Sequence, residues 1–207
     1  MSTQIKTIVF DLGGVLYDLD REKCVSALVD LGLHNADELL GNYKQSGIFQ
    51  QLEEGTISTA FFYNSIRELI GKEVTDQQIK KAWDAFLVEI PDYKLEMLEA
   101  LKRRFQILML SNTNAIHFAD EIPNAFTKHG KNIGYYFDKC YLSYEMQSSK
   151  PHAEIFEKMV ADAGIKAEET LFIDDSPANI KTAQELGFKT YLAKPLEDFT
   201  HIFDELT

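Results

Sequence analysis

Apolar and polar positions along this chain follow two different periods. From Ile5 to Phe10 a continuous apolar and β-branched run stops at Asp11 and is followed by Gly13 and Gly14, which predicts a buried strand ending in a turn. From about Arg21 to Pro91 the spacing becomes helical: Cys24, Leu28 and Leu31, then Phe61, Phe62, Ile66 and Leu69, then Ile79, Trp83, Phe86 and Leu87. No strand is expected in that stretch, and Gly32, Gly41, Gly47, Gly55 and Gly71 divide it into roughly four helical segments. Beyond Pro91 the pattern predicts a helix from Tyr93 to Arg103, a strand from Gln106 to Leu110, a long polar and aromatic segment, and a strand from Cys140 to Leu142. A helix from Ala153 to Ala163 stops at Gly164, a strand runs from Thr170 to Ile173, a helix from Ala178 to Leu186 stops at Gly187, and a last strand covers Lys189 to Leu192.

Strands alternating with helices of this length define an α/β class with a parallel sheet covered on both faces. The helical stretch then reads as an insertion. This gives a Rossmann-like α/β core from residues 1–17 and 91–207, and a helical cap from residues 18–90, with hinges near Asp18 and Pro91. A length of 207 residues with 45% apolar content suffices for one such domain and its insert. The aromatic residues Phe49, Phe61, Phe62, Trp83 and Phe86 at helical spacing predict a packed cap interior, and Tyr135, Tyr136 and Phe137 are also expected to pack.

Composition narrows the partners. A net charge of −12 argues against nucleic acid and anionic membranes, since both are bound through clustered Lys and Arg. An anionic small molecule remains open, because a divalent cation and one positioned Lys can reverse the field inside a cleft. Met1 to Gln4 carries no basic region or cleavage pattern of a secretory leader. Cys24 and Cys140 stand far apart, outside any metal-binding spacing, so a reducing cytoplasm is expected, with neither a disulfide scaffold nor a zinc site. The arrangement is compatible with a monomer.

Candidate chemistry lies at the strand ends. Asp11, then Ser111-Asn112-Thr113, then Lys150-Pro151, then Asp174-Asp175 each follow an apolar run and open a helix or loop. Singly, each has a structural explanation as turn former, helix cap, solvated charge or first helical residue. Together they form a set, because residues at the carboxyl ends of parallel strands converge on one crevice. Transfer of a phosphoryl group to a carboxylate needs an in-line nucleophile, cations to offset the anion, and donors for its oxygens. Asp11 can attack phosphorus. Asp11 and Asp175 facing a phosphate dianion call for a hard cation such as Mg²⁺, to which the Gly13 carbonyl can also bind. Ser111 and Asn112 can hold phosphate oxygens, and Lys150 supplies a point charge to the phosphate and to Asp11.

The segments FDLGGVL, LSNTN, SSKPHAEIF and FIDDSPANI, in this order, resemble the four motifs of the haloacid dehalogenase-like hydrolase superfamily, with a helical cap inserted after the first. Within it, DLG, LSNTN and KP are most similar to small bacterial phosphatases related to α-D-glucose-1-phosphate phosphatase, and EEGTIS at Glu53 to Ser58 is similar to a cap segment of that group. The resemblance implies a Mg²⁺-dependent phosphatase acting on a small phosphorylated metabolite such as a hexose 1-phosphate. It implies Asp11 as nucleophile and metal ligand, the Gly13 carbonyl and Asp175 as further ligands, and Asp174 and Asn179 in support. Ser111 and Asn112 would bind phosphate and Lys150 would neutralise charge.

One residue departs from the superfamily pattern. Most of its phosphatases carry a second Asp two positions after the nucleophile, as general acid and base; here that position is Gly13. An anomeric sugar oxygen, as a good leaving group, tolerates the loss, or Tyr17, His117 or a metal-bound water supplies the proton. His117 is expected as a solvated side chain in a polar loop. Dehalogenation through the same Asp is disfavoured by the Asp174-Asp175 pair, which suits a metal, and a receiver-type signalling module by that pair's place on a late strand. A binding or regulatory protein without turnover is the remaining alternative.

Overall fold

Alternating side chains of a central parallel sheet feed two hydrophobic layers in this computed structural model, which describes residues 4–204 and Leu206. In chain order the elements begin with β1 (Thr7–Phe10), β2 (Asp18–Leu19), α1 (Arg21–Leu31), α2 (Ala36–Leu39), α3 (Gly47–Glu53), α4 (Thr59–Ile70), α5 (Asp76–Asp84) and β3 (Leu87–Glu89). There follow α6 (Asp92–Leu101), β4 (Gln106–Ser111), α7 (Ala115–Ala119), α8 (Glu121–Ala125), α9 (Ile133–Tyr136), β5 (Lys139–Leu142) and α10 (Ser143–Met146). The chain continues through α11 (Ala153–Ala163), β6 (Thr170–Asp174), α12 (Pro177–Glu185) and β7 (Lys189–Leu192).

The sheet order is β5-β4-β1-β6-β7 with every pairing parallel. Ile8, Phe10, Ile107, Met109, Leu171 and Ile173 pack on one face, and Val9, Leu108, Leu110 and Phe172 on the other. That alternation is the period of a strand buried on both sides. Chain order reverses direction around β1: β4 and β5 lie to one side, β6 and β7 to the other. Such a reversal opens a crevice at the carboxyl ends, where ligands bind.

A separate apolar cluster joins Cys24, Leu28, Phe49, Phe62, Ile66, Ile79, Trp83 and Phe86 from α1 to α5, together with Ile116 from α7. Local signals delimit these helices. Asp20 caps α1 by accepting the Lys23 N–H at 2.9 Å, Ser58 caps α4, and Thr75 with Gln78 forms a capping box on α5. Gly32 ends α1 with φ of 118°, the left-handed conformation that favours glycine.

The structure corrects several expectations. Five helices replace four, because α2 is a single turn too short to leave a periodic signal. A strand does occur before Pro91: β3 pairs antiparallel with β2, so the two crossings between the bodies form a short ribbon. The helical spacing of Phe86 and Leu87 hid that strand, since periodicity cannot classify so short an apolar run. The polar and aromatic segment after β4 contains α7, α8 and α9. Phe61 is 54% exposed and Tyr135 37%, whereas Phe49, Phe62, Trp83, Phe86, Tyr136 and Phe137 are buried. No helix among the described residues is long and apolar enough to cross a membrane.

Candidate active site

Asp11 sits directly beyond β1, where its backbone N–H donates to the Ile173 carbonyl of β6 at 2.9 Å and its carboxylate accepts the Leu12 N–H at 2.7 Å. Lys150 reaches it from the loop before α11. The buried ammonium lies 2.8 Å from Asp11 Oδ1 and 2.7 Å from Asp174 Oδ2. Asp174, at the end of β6 and fully buried, also accepts the Ser176 N–H at 2.8 Å and the Asn179 side-chain amide at 2.9 Å. Its oxygens are therefore committed to Lys150 and to the start of α12. Asp175, one residue on, is only partly buried and faces the cleft.

Ligand oxygens of Asp11, Asp174 and Asp175 all lie within 4.8 Å of one another. Three carboxylates thus gather around one ammonium that pairs with only two of them, an imbalance that suits a hard divalent cation taking oxygen ligands. Burial pushes Asp11 well above the usual carboxylate range; Lys150 pulls against it, and Asp174 and Asp175 add to it. Burial, helped by Asp174, pushes Asp175 up to about 6. Burial pulls Lys150 down, but Asp11 and Asp174 outweigh it and hold the ammonium above its ordinary value. Gly14 makes room for this cluster. Its φ is +72°, and a Cβ there would lie 2.1 Å from Asp175 Oδ2.

Ser111 ends β4, buried, and lines the cleft. The Asn112 side chain does something the sequence did not announce: its Nδ2 donates to the Lys150 carbonyl and its Oδ1 accepts the Lys150 N–H, each at 2.9 Å. This clasp holds the lysine backbone against the end of β4. Gly13 lies in the turn after β1, two residues beyond Asp11, and a Cβ there would lie 2.8 Å from Leu19 Cδ1, so the β2 leucine fills the space beside it.

His117 is neither solvated nor in a loop. It is 4% exposed on α7, stacks on Trp83 of α5 with ring centroids 4.7 Å apart, and places Nε2 3.3 Å from the Trp83 carbonyl and Nδ1 3.2 Å from the Asn114 amide. These partners define a neutral ring that donates through Nε2 and accepts at Nδ1. Burial drives it down to about 3.

The cleft between the sheet ends and the α1–α5 body has a volume of about 90 Å³. From that body it receives Tyr43, Gln45, Glu53, Trp83 and Phe86. Gln45 Oε1 and Trp83 Nε1 are buried, with no hydrogen-bond partner among the described residues. Sequence reasoning assigned no task to Glu53, Gln45 or Ser143. The EEGTIS resemblance pointed to the first, and the place of Ser143 at the end of β5 could have found the third.

A central parallel sheet, an inserted helical body and an acidic cluster paired to one buried lysine define a class, and the chain belongs to the haloacid dehalogenase-like hydrolase family, whose profile matches residues 5–187. Among its relatives is the D-ribitol-5-phosphate phosphatase of Bacteroides thetaiotaomicron, 43% identical over 187 residues, covering 90% of this chain and 91% of the relative. A HAD family enzyme from the same organism, solved in complex with magnesium and inorganic phosphate, superposes with a TM-score of 0.91 at 48% identity, over 96% of this chain and 99% of the other. A predicted HAD-like hydrolase from Porphyromonas gingivalis is 39% identical with a TM-score of 0.91, over 98% of each chain.

Proposed function

We propose that this protein is a Mg²⁺-dependent phosphatase that hydrolyses a small polyhydroxylated phosphomonoester, a sugar phosphate or sugar-alcohol phosphate, through an aspartyl-phosphate. The observation that carries the reading is the acidic cluster around Lys150 at the sheet's carboxyl edge. Asp11, the Gly13 carbonyl and Asp175 would hold the ion. Bound there, Mg²⁺ supplies charge that lets a phosphate dianion approach the carboxylates.

An Asp11 carboxylate oxygen forms a bond to phosphorus as the bond from phosphorus to the ester oxygen breaks, and the leaving oxygen takes up a proton. A water oxygen then attacks phosphorus and frees Asp11. Lys150 stabilises the charge on Asp11 and the phosphoryl oxygens, while Asp174 keeps the lysine pointed at the nucleophile. Ser111, through its hydroxyl, and Asn112, through its backbone N–H, would take the phosphoryl oxygens.

Residues 18–90 act as the cap that chooses the substrate and excludes water. Unpartnered Gln45 Oε1 and Trp83 Nε1 favour a hydroxyl-rich substrate, which would satisfy both groups. Both the hexose 1-phosphate suggested by the motifs and the pentitol 5-phosphate of the 43% identical relative fit this description. A panel of both classes, read by inorganic phosphate release with and without Mg²⁺, tests the reading. Metal-dependent release is expected from at least one class, and Asp11→Asn should abolish it; undiminished release by that variant would sink the mechanism.

A further inference from the structure

A primary alcohol is a poor leaving group unless protonated as it departs, and position 13 offers no side chain to do this. The space beside Gly13 is taken by Leu19. Of the other groups in the cleft, His117 has no proton to give the substrate, since its one N–H is directed to the Trp83 carbonyl. Asp11 and Asp175 belong to the proposed nucleophile and metal set. Tyr17 also lines the cleft, but burial and the carboxylates Glu121, Asp84 and Glu89 push its phenol above an already high value, which makes it a weak acid.

With Lys150 engaged by Asp11 and Asp174, and Tyr43 54% exposed to solvent, Glu53 remains, at the last position of α3 and lining the same cleft as Asp11. Its placement is fixed by two contacts with the core. Ser143, at the end of β5, accepts the Thr113 N–H at 2.9 Å and donates to the Glu53 carbonyl at 2.6 Å. Two residues on, Gly55 passes so close to the core that a Cβ would lie 2.0 Å from the Tyr144 carbonyl. Among the described residues, no hydrogen bond or ion pair engages the Glu53 carboxyl group, although its neighbour Glu54 is bonded to Gln50.

Resting on the phosphatase reading above, we infer that Glu53 is the proton donor to the leaving oxygen, brought from the cap to perform the task that Gly13 cannot. As the bond from phosphorus to the ester oxygen breaks, the Glu53 proton passes to that oxygen and the alcohol leaves. The resulting carboxylate takes a proton from the water whose oxygen attacks phosphorus, which returns both Glu53 and Asp11 to their starting states. The environment supports this. Burial first, and Glu54 second, push the Glu53 carboxyl up to about 8 from an ordinary 4.5, so it is protonated at neutral pH. The other charged or titratable groups sharing the cleft are Asp11, Asp175, Lys150, His117, Tyr17 and Tyr43.

The test is the leaving-group dependence of Glu53→Gln, followed by rapid quench through the first turnover with Mg²⁺. With ribitol 5-phosphate and phenyl phosphate, whose leaving oxygens need a proton, release of the alcohol or phenol should slow by about 10²- to 10⁴-fold. With p-nitrophenyl phosphate, which leaves as a stable anion, the burst should keep its parental rate, and that burst also shows that the variant is folded. The parental rate on phenyl phosphate should fall as pH rises through about 8, and the variant should lack that limb. Equal losses on all three esters, no loss on the poor leaving groups, or the same split in Tyr17→Phe instead would overturn the assignment. A parent protein inert towards all three esters and towards the hexose 1-phosphates overturns the phosphatase reading itself.

Discussion

Asn112 shows how a residue type can be legible while its task is not. An Asn beyond a strand end reads as a phosphate ligand, yet its side chain holds the backbone of Lys150 by two hydrogen bonds of 2.9 Å. Removing the clasp frees the lysine backbone from β4 without deleting a charge. Asn112→Ala should therefore lower kcat towards the preferred phosphomonoester by up to about 10²-fold, the loss typical of a slight misplacement of a reacting group. Steady-state kinetics checks this, with Mg²⁺-dependent phosphate binding retained. Asp11 and the Asp174-Asp175 pair could be placed from sequence because each stands at the abrupt end of an apolar run, and Lys150 because it lies in the segment that leads on from the β5 run. Glu53 could not, because one acid among many on a helical segment looks like solvated surface until the cleft is seen.

His117 matters at the scale of the elements, since it joins α7 to α5 of the inserted helical stretch by stacking on Trp83 and bonding to its carbonyl. A single sequence could not reveal this, because the two residues are distant along the chain and the α7 helix has only five residues. The unfolded chain binds a proton at this ring near 6.5, whereas the folded protein resists it down to about 3. Over that window the unfolded state holds more protons, so stability falls as pH falls. Urea unfolding of the parent should lose up to a few kcal/mol between neutral pH and about pH 4, and His117→Asn should show a shallower acid dependence. An identical slope in both would remove His117 as the cause.

Over the whole molecule, the alternation of strands and helices was readable because every central strand is buried on both faces and therefore continuously apolar. The β2–β3 ribbon was not, because its pairing depends on the two crossings lying side by side, which no local period encodes. Lys94 of α6, itself buried, anchors this ribbon with its ammonium 2.9 Å from Asp18 Oδ1. Asp18→Ala would strand that charge and should destabilise the protein by about 3 kcal/mol or more, as measured by chemical denaturation; a change within experimental error would show that water reaches the lysine. The ribbon also restricts how the two bodies can move. Two independent linkers would let the cap tumble and twist, whereas two strands hydrogen-bonded to each other leave mainly one rotation. Any closure would then follow one arc, and would carry the α3 acid into the cleft along the same line each time.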